Sequence, residues 1–494
     1  MGCHRVRSRH SLRYCGSKNK DRGGSSISLR RWKETFKQFF AYKSALAGLC
    51  ILAFIIALSI YAVAAIPYEE AVTAWRLGED TSINNPRNAA PSWISFFTSK
   101  KLPETIIMDT LKGGVSIRKA IVPGETIGAA RIEFSLDFTY DDFPTEVNLF
   151  FTANYNETAP FVTISWIKPD GEPFKLKEVV VKKTDKYYLS LDEELTEKLR
   201  VYLSGKIGQE IPYEIPTHVA LFAVEDESLL KPETAQVLKG KYKMIIEGVI
   251  FEKETDIDAR LVVYGKVFGL AGTDHLRRDL MVALLWGAPI AVSFGVLASV
   301  SISFLQMIIA AVSAWHGRWA DLLLQKATEF NMILPFLPIV MMIAVLYKIS
   351  IWVLLVVVIV LSVFGSGVKT YRAMFLQVKE LPYIEAAQTY GAGSIRIIFR
   401  YMIPKVLPTI IPSLVLSVSG FVFLEAALAI LGLGDPVAPT WGKVINDAYT
   451  NGALFKGYFY WVLEPSALLV LTSLGFAMLG FTLDKIFNPK LREM

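Results

Sequence analysis

The sequence contains little cysteine, and what it has lies near the start. Its 494 residues include three cysteines, Cys3, Cys15 and Cys50. No disulfide framework can therefore support the region after residue 50. Cys3 and Cys15 have only His4 and His10 near them, which is not a recognised metal-ligand spacing, so we expect no metal site.

A phosphate-binding loop of the form G-x-x-x-x-G-K-[ST] is also absent. We therefore do not expect ATP to bind to this chain. What the chain does contain is an unusual mixture: 52% of its residues are hydrophobic, yet 20% are charged, and the mean hydropathy is +0.38. This combination predicts one membrane-embedded part and one part in water.

Positive charge is concentrated at the beginning of the chain. Residues 1–43 hold twelve Lys or Arg against Asp21 and Glu34, and residues 1–27 read as a basic, flexible tail. Such a tail could bind nucleic acid, but it leads directly into an apolar run. The tendency of positive residues to stay on the cytoplasmic side explains it better, so no nucleic-acid partner is expected.

Residues 28–66 predict an interfacial helix followed by a first transmembrane helix. Between Arg30 and Lys43, aromatic residues recur at helical spacing among basic ones, a pattern typical of helices that lie against membrane lipid. Ser44 to Ile66 then contains no charge for more than twenty residues, which is long enough to span a bilayer. We expect the chain's N-terminus in the cytoplasm.

Residues 68–266 lack any apolar run of membrane-spanning length and instead predict an inserted, extracytoplasmic, β-sandwich-like domain. Apolar and polar residues alternate with period two, and Pro169-Asp170-Gly171 supplies turn chemistry. One helix is expected at 192–202. Strands are expected at 132–140, 161–167, 179–181, 219–224, 244–251 and 259–264.

Residues 267–494 predict a helical membrane core with five further spans, making six transmembrane helices in total. Basic residues fall mostly on one face of the predicted bundle, which places both termini in the cytoplasm. The spans are expected at about 281–313, 330–347, 350–368, 409–431 and 463–484.

The loop after the third of these spans predicts a helix–turn–helix elbow. Pro382 follows Leu381 as a helix-start signal, and Glu385 lies in the first turn, where the helix dipole favours a carboxylate. Gly391 and Gly393 should break this helix. A second helix, capped by Ser394 and running to Ile403 before Pro404, should follow, while Ala386 and Ala387 offer a surface of small side chains.

This stretch, Glu385-Ala386-Ala387 with Gly391 six residues after Glu385, resembles the "EAA" docking loop of ABC importer permeases. Gly272-Thr273-Asp274, with Arg278-Asp279, resembles the G-T-D-x-x-G-R-D motif of dipeptide/oligopeptide permeases of the "C" type, although Arg277 replaces that motif's glycine and puts its turn in doubt. Further similarity lies in Trp286-Gly287-Ala288, Gly317–Asp321, Leu334–Leu337, Phe423–Leu428, Leu431–Gly434, Pro439–Gly442 and Asn488–Arg492.

The resemblance covers residues 30–66 and 267–494 and implies the type I importer permease fold. It implies a subunit of an ATP-driven importer of di- or oligopeptides that carries ATPase motion to the membrane helices through the EAA loop. Such a subunit would have no catalytic site and would bind no cofactor of its own. The implied partners are a second, homologous permease, two ATPase subunits that bind ATP and magnesium, and an extracytoplasmic solute-binding protein. The resemblance implies no role for the inserted domain.

Several alternatives remain open. The same architecture could carry oligosaccharides or nickel, and the chain could instead be a membrane-anchored receptor or a secondary transporter. We expect a receptor to have a cytoplasmic signalling domain, and none follows Lys485; a secondary transporter would lack the docking elbow.

Individual residues also have two interpretations. Glu425 lies within a predicted span, and we favour a helix–helix hydrogen bond over substrate contact. Trp441 could face the binding protein or sit in an interfacial aromatic belt. Asp274, Arg278 and Asp279 are expected to form a charge network that anchors their loop. The inserted domain could dock the binding protein or a partner permease, or could be a passive insertion.

Overall fold

The computed structural model describes residues 39–40, 42–78, 81–122, 124, 127–169, 171–347 and 349–487. The predicted basic tail, most of the predicted interfacial helix, Asp170 of the predicted turn and the motif at residues 488–492 lie outside the described residues.

A long apolar helix, α1 (Lys43–Ala65), occupies the position of the first predicted span. It ends at Ile66, and Pro67 then starts a short amphipathic helix, α2 (Tyr68–Leu77), because proline is tolerated where a helix has no N–H partner to lose. Glu69 and Glu70 lie in the first turn of α2, where the dipole stabilises them.

The region after α2 folds into two antiparallel sheets. One sheet has strand order β1-β9-β4-β7 and the other β2-β3-β8-β5-β6. Residues of both sheets, among them Leu149, Leu261, Phe134 and Ile246, share one buried hydrophobic core, as period-two alternation predicts for a sandwich. The strands are β1 (Ile106–Asp109), β2 (Ile117–Val122), β3 (Gly128–Phe138), β4 (Glu146–Asn154), β5 (Phe161–Ile167), β6 (Pro173–Val180), β7 (Thr184–Tyr188), β8 (Gly240–Ile250) and β9 (Asp256–Tyr264).

A helix, α3 (Glu193–Ile207), covers one side of this β domain where a helical segment was predicted. The side chain of Asp192 accepts a hydrogen bond from the Leu195 N–H and caps its start, and Gly208 ends it in the left-handed conformation. The predicted strand at 219–224 is wrong, because residues Thr217–Phe222 form helix α4. Pro216 sets the backbone for a helix start, and the apolar run then packs into the core as one helical face.

The remaining chain is helical and apolar. Four helices in the described part of the chain are long and apolar enough to cross a membrane, and two bent helix pairs bring the number to six if each pair is one span. One pair bends by 74° around Leu334-Pro335 and the other by 51° around Gly365. The helices are α5 (Leu280–His316), α6 (Arg318–Ile333), α7 (Phe336–Tyr347), α8 (Ile351–Ser362), α9 (Ser366–Lys379), α10 (Pro382–Thr389), α11 (Ser394–Ile430), α12 (Trp441–Thr450) and α13 (Tyr460–Phe487).

Helix α5 lies at the centre of the helical part and contributes to three hydrophobic clusters along its length. Helix α1 packs against α13 through small residues: a Cβ added to Gly48 would lie 3.0 Å from the Gly475 carbonyl oxygen. The hydroxyls of Ser44 and Thr482 are 3.1 Å apart across the same contact. Close backbone approach with a polar contact is a packing mode that membrane helices favour.

Candidate functional site

The elbow is built from α10, a tight turn and the start of α11. Pro382 occupies the first turn of α10, as predicted, and Glu385 lies in that same turn. Gly391 has a φ of +78°, a conformation that glycine adopts readily, and its amide bonds to the Gln388 carbonyl. The turn therefore depends on glycine at residue 391, whereas Gly393 has an ordinary φ of −69°.

One face of the elbow packs against the ends of the membrane helices. Ile384, Ile397 and Met402 are buried in a cluster with Phe375 of α9 and Ala310 of α5. The Lys379 ammonium bonds to the Ala314 and Trp315 carbonyls at 3.0 Å, at the end of α5. Because this inner face is apolar and continuous, the elbow is attached to α5 and α9 as one packed unit.

The opposite face of the elbow is exposed. Glu385 and Ala386 lie on it, together with Tyr390, which is 91% exposed, and Ile395, which is 76% exposed. Ala387, by contrast, is buried, so only one of the two small residues predicted to form a docking surface reaches it. The exposed face thus combines a carboxylate with large apolar side chains, a composition typical of a protein-binding surface.

Two details of the predicted elbow are wrong. Gly393 is the N-cap of the second helix, with no side-chain cap bond, so Ser394 is its first helical residue and does not cap it. The helix also does not stop before Pro404 but continues to Ile430. Residues Ile398–Met402 form a π-helical turn, in which the Ile403 N–H bonds to the Ile398 carbonyl, and this wider turn precedes the proline.

The loop of residues 272–279, hereafter the motif loop, lies immediately before α5. Gly272 has a φ of +73°, and a Cβ there would lie 2.4 Å from the Ala89 carbonyl oxygen. The Thr273 hydroxyl donates to the Pro86 carbonyl at 2.7 Å and accepts from the Ala89 N–H at 3.0 Å. Glycine and threonine are needed here because two chain segments meet without space for a larger side chain.

Asp274 and Arg278 form the predicted charge network, and it extends further than predicted. Both are buried, and the Arg278 guanidinium donates to Asp274 and, at 2.8 Å, to Asp447 of α12. It also stacks 3.9 Å from the ring centroid of Trp75 in α2, and Lys443 pairs with Asp447 at 2.7 Å. These contacts join α2, the motif loop and α12.

Asp279 is not part of this network, contrary to our expectation. Its carboxylate accepts from the Met281 N–H at 2.9 Å and so caps the start of α5. Burial raises the pKa of the Asp279 carboxyl, with the Met281 hydrogen bond opposing that rise.

Arg277, which stands where the motif has glycine, keeps the turn. Its φ is +62°, so an arginine occupies a backbone conformation that glycine would adopt without strain. The side chain is 1% exposed and reaches into the β domain, where it pairs with Glu146 of β4 and lies 4.2 Å from the ring centroid of Tyr264 in β9. It also donates to the Asn85 carbonyl at 2.7 Å. In the sequence, Arg277 stands out only as a departure from the motif, and no local pattern indicates these contacts.

Glu425 is buried in α11, near Thr440, the residue that caps α12. Its Oε2 atom has no hydrogen-bond partner among the described residues, so the favoured helix–helix hydrogen bond of Glu425 stays a prediction.

Both interpretations of Trp441 are wrong. Its side chain is fully buried, donates to the Leu284 carbonyl at 2.9 Å and packs onto Gly287. The amphipathic pattern Thr440-Trp441…Val444…Ala448 is the signal for helix α12.

A cavity of about 880 Å³ lies in the β domain, far along the chain from the elbow. Its lining includes Arg87, Glu146, Lys186, Glu214 and His218, so charges of both signs face it. Burial, with a smaller effect from the charge of Lys266, lowers the pKa of His218 to about 4. Within the described ranges, no group of three or more His, Cys, Asp or Glu side chains could hold a metal ion.

Comparison with known protein families gives two matches. The family described as binding-protein-dependent transport system inner membrane component matches residues 306–493. The N-terminal TM domain of oligopeptide transport permease C matches residues 30–91. The β domain lies between the two matched stretches.

Individual proteins are similar over the same part of the chain. A putative peptide permease protein of Brucella suis is 30% identical over 220 residues, which cover 44% of this chain and 72% of that protein. The dipeptide transport system permease protein of Bacillus subtilis is 30% identical over 224 residues (45% and 69%). The oligopeptide transport system permease protein of the same organism is 30% identical over 227 residues (45% and 72%).

Proposed function

The chain belongs to the family of binding-protein-dependent transport system inner membrane components, and from this premise we propose that it carries di- or oligopeptides into the cell. It is a multi-pass membrane permease subunit of an ABC transporter and a non-catalytic component. The peptide substrate is supported by the names of its relatives, which are peptide, dipeptide and oligopeptide permeases. Ligand screening of the cognate solute-binding protein tests it.

In the proposed arrangement, six spans cross the membrane, with each bent pair as one span. Both termini lie in the cytoplasm and the β domain lies outside. The distribution of basic residues supports this orientation, because Arg318, Lys369, Arg396 and Lys485 share the elbow's side of the bundle. A second, homologous permease, two ATPase subunits that bind ATP and magnesium, and an extracytoplasmic solute-binding protein complete the assembly.

The observation that carries the coupling mechanism is the two-faced elbow. Its exposed face, with Glu385, Ala386 and Tyr390, would receive the ATPase subunit, while its apolar inner face packs on α5 and α9. A displacement of the ATPase would then move the elbow and both helices together. Because packed interfaces shift between discrete arrangements, such a movement would switch the path between inward-facing and outward-facing states.

Helix α5 would carry this movement to the outer side. It runs from the elbow cluster near Ala314 to Leu280, directly after the motif loop. There the Arg278 network ties the loop to α2 and α12. The outer end of the path would thus respond to the ATPase through one continuous helix and a buried set of ion pairs.

Substitutions in the elbow test the ATPase contact. Glu385→Lys is expected to abolish co-purification of the ATPase subunit with the permease, because it reverses a charge on the exposed face. Gly391→Ala is expected to weaken co-purification, since alanine at a φ of +78° costs about 1 kcal/mol. Gly393→Ala is the matched control: it adds the same methyl group to an equally open position at an ordinary φ.

Undiminished ATPase binding by Glu385→Lys, in a permease that purifies as a single species, would contradict the docking role of the elbow. Equal losses for Gly391→Ala and Gly393→Ala would show that the turn geometry is not what matters.

A further inference from the structure

A short aromatic helix stands exposed beside the outer end of the membrane helices. Residues Ser92–Phe97 form a 3₁₀-helix with sequence Ser-Trp-Ile-Ser-Phe-Phe. Phe96 is 87% exposed, Phe97 is 83% exposed, and Trp93 is also exposed. Three exposed aromatic rings within six residues are costly in water and indicate a surface that another phase or molecule covers.

The position of this 3₁₀-helix is fixed by two hydrogen bonds to the chain before the motif loop. The Ser92 N–H donates to the Gly269 carbonyl at 2.9 Å, and the Trp93 indole N–H donates to the Leu270 carbonyl at 2.9 Å. Leu270 is itself exposed. The Trp93 ring therefore has its polar atom satisfied by protein and its apolar body outside, as interfacial tryptophans do.

This surface is continuous with the ends of two proposed spans. The Leu280 N–H, at the start of α5, bonds to the Gly272 carbonyl, two residues after Leu270. The Tyr460 hydroxyl, at the start of α13, bonds to the Thr273 carbonyl at 3.0 Å. The exposed Phe455 and Phe459 directly precede α13, so further aromatic rings cluster where that span begins.

The charge of the segment also suits a membrane surface. Residues 81–103 contain no Asp or Glu, whereas Lys100 and Lys101 lie three and four residues after Phe97. Aromatic residues followed by lysines combine insertion between acyl chains with attraction to anionic headgroups.

We propose that residues Ser92–Phe97 insert into the outer interfacial layer of the lipid bilayer and hold the β domain against the membrane. The inference rests on the proposed spans α5 and α13, and the outer layer is the one on the side of the membrane where the β domain lies. A lipid anchor at this point, bonded to the stretch before the motif loop, fixes the height of the β domain above the outer opening.

Spin labels on single cysteines test this in the full chain reconstituted into liposomes containing phosphatidylglycerol. Phe96→Cys and Phe97→Cys are made in a background in which Cys3, Cys15 and Cys50 are serine. Collision with oxygen reports lipid, and collision with a water-soluble nickel chelate reports water. A label in the interfacial layer is expected to show an oxygen-to-nickel ratio at least about threefold above that of a label at Val115→Cys, a fully exposed position in the β domain.

A separate variant, in which only Cys3 and Cys15 are serine, keeps the native Cys50, which is exposed within α1 and serves as the spanning reference. If the label at Cys50 reports lipid while the labels at residues 96 and 97 report water, the anchor is wrong and the proposed span α1 stands. Low collision with both reagents at 96 and 97 would show that protein covers the patch, which also overturns the proposal. If the label at Cys50 itself reports water, α1 does not lie in lipid, and the proposed membrane arrangement of α1 and of α13, which packs against it, is wrong.

Discussion

Arg277 offers the sharpest test of how the β domain is attached to the helical part. Replacing it with glycine removes the ion pair to Glu146, the bond to the Asn85 carbonyl and the stacking on Tyr264. The same substitution restores an unstrained backbone at a φ of +62°. Two opposing effects therefore operate at one residue, and their sizes can be compared.

The lost contacts are the larger effect. Breaking a buried ion pair by removing one partner costs about 3–5 kcal/mol, and the lower end applies because Glu146 keeps 18% exposure to water. Relief of the backbone strain returns about 1 kcal/mol. Arg277→Gly should therefore lower the free energy of local opening at this junction by about 2 kcal/mol, and Arg277→Ala by about 3 kcal/mol.

Hydrogen–deuterium exchange of the detergent-solubilised full chain measures this opening. A loss of about 2 kcal/mol corresponds to roughly thirtyfold faster exchange. It is expected in residues 83–90 and at the beginning of β4, where the Arg277 contacts lie. Strand β8, in the other sheet, should exchange at its original rate.

A matched control comes from Arg318, an exposed arginine that also has a positive φ, +43°. Arg318→Gly relieves the same kind of strain without removing a buried side chain, so slower or unchanged exchange is expected around it. If residues 83–90 exchange in Arg277→Gly at the same rate as in the original chain, the buried contacts of Arg277 contribute nothing to the attachment.

Two further predictions concern packing and pH. Gly287→Ala should lower the melting temperature, because the new Cβ would lie 2.3 Å from the Trp441 ring. Such overpacking costs about 1–3 kcal/mol. Gly420→Ala, whose new Cβ meets open space in α11, is the control and should leave the melting temperature unchanged or raise it. The pKa of His218 is lowered from 6.5 to about 4, so the folded β domain favours the neutral form of His218. The resulting contribution to the free energy of unfolding is fully present above pH 6.5 and is lost as the pH falls towards 4. Urea denaturation should show that the free energy of unfolding decreases by at most about 3 kcal/mol between pH 6.5 and pH 4, and that this decrease is absent from His218→Gln. An equal decrease in His218→Gln would exclude His218 as its cause.

Local sequence patterns predicted those elements whose determinants are local. Helix α1 and the alternating strand β3 depend on hydropathy and period, and both lie where predicted. The segment at 219–224 has an apolar composition that suits either a strand or a helix, and Pro216 favoured the helix. The secondary structure of a short apolar run of this kind depends on the residues that pack against it.

The site residues divide in the same way. The turn at Gly391 could be predicted because it requires only a positive φ at one glycine. The burial of Trp441 could not, since it depends on Gly287, 154 residues earlier, leaving room for the ring. The role of Arg277 likewise depends on Glu146, which lies on a strand of the inserted domain. Periodicity and capping rules use neighbouring residues only, so they do not predict contacts between distant segments.

Pro404 shows how a correct local rule can give a wrong boundary. A proline inside a helix lacks an N–H and its ring clashes with the carbonyl four residues earlier, which predicts a stop. Here the preceding residues Ile398–Met402 adopt π spacing, with the Ile403 N–H bonded five residues back, so the ladder is already widened where the ring must fit. The helix can then continue to Ile430 without a break in its axis large enough to end it. A wider turn between the elbow and the rest of α11 is also a natural place for bending, since its hydrogen bonds depart from α spacing there.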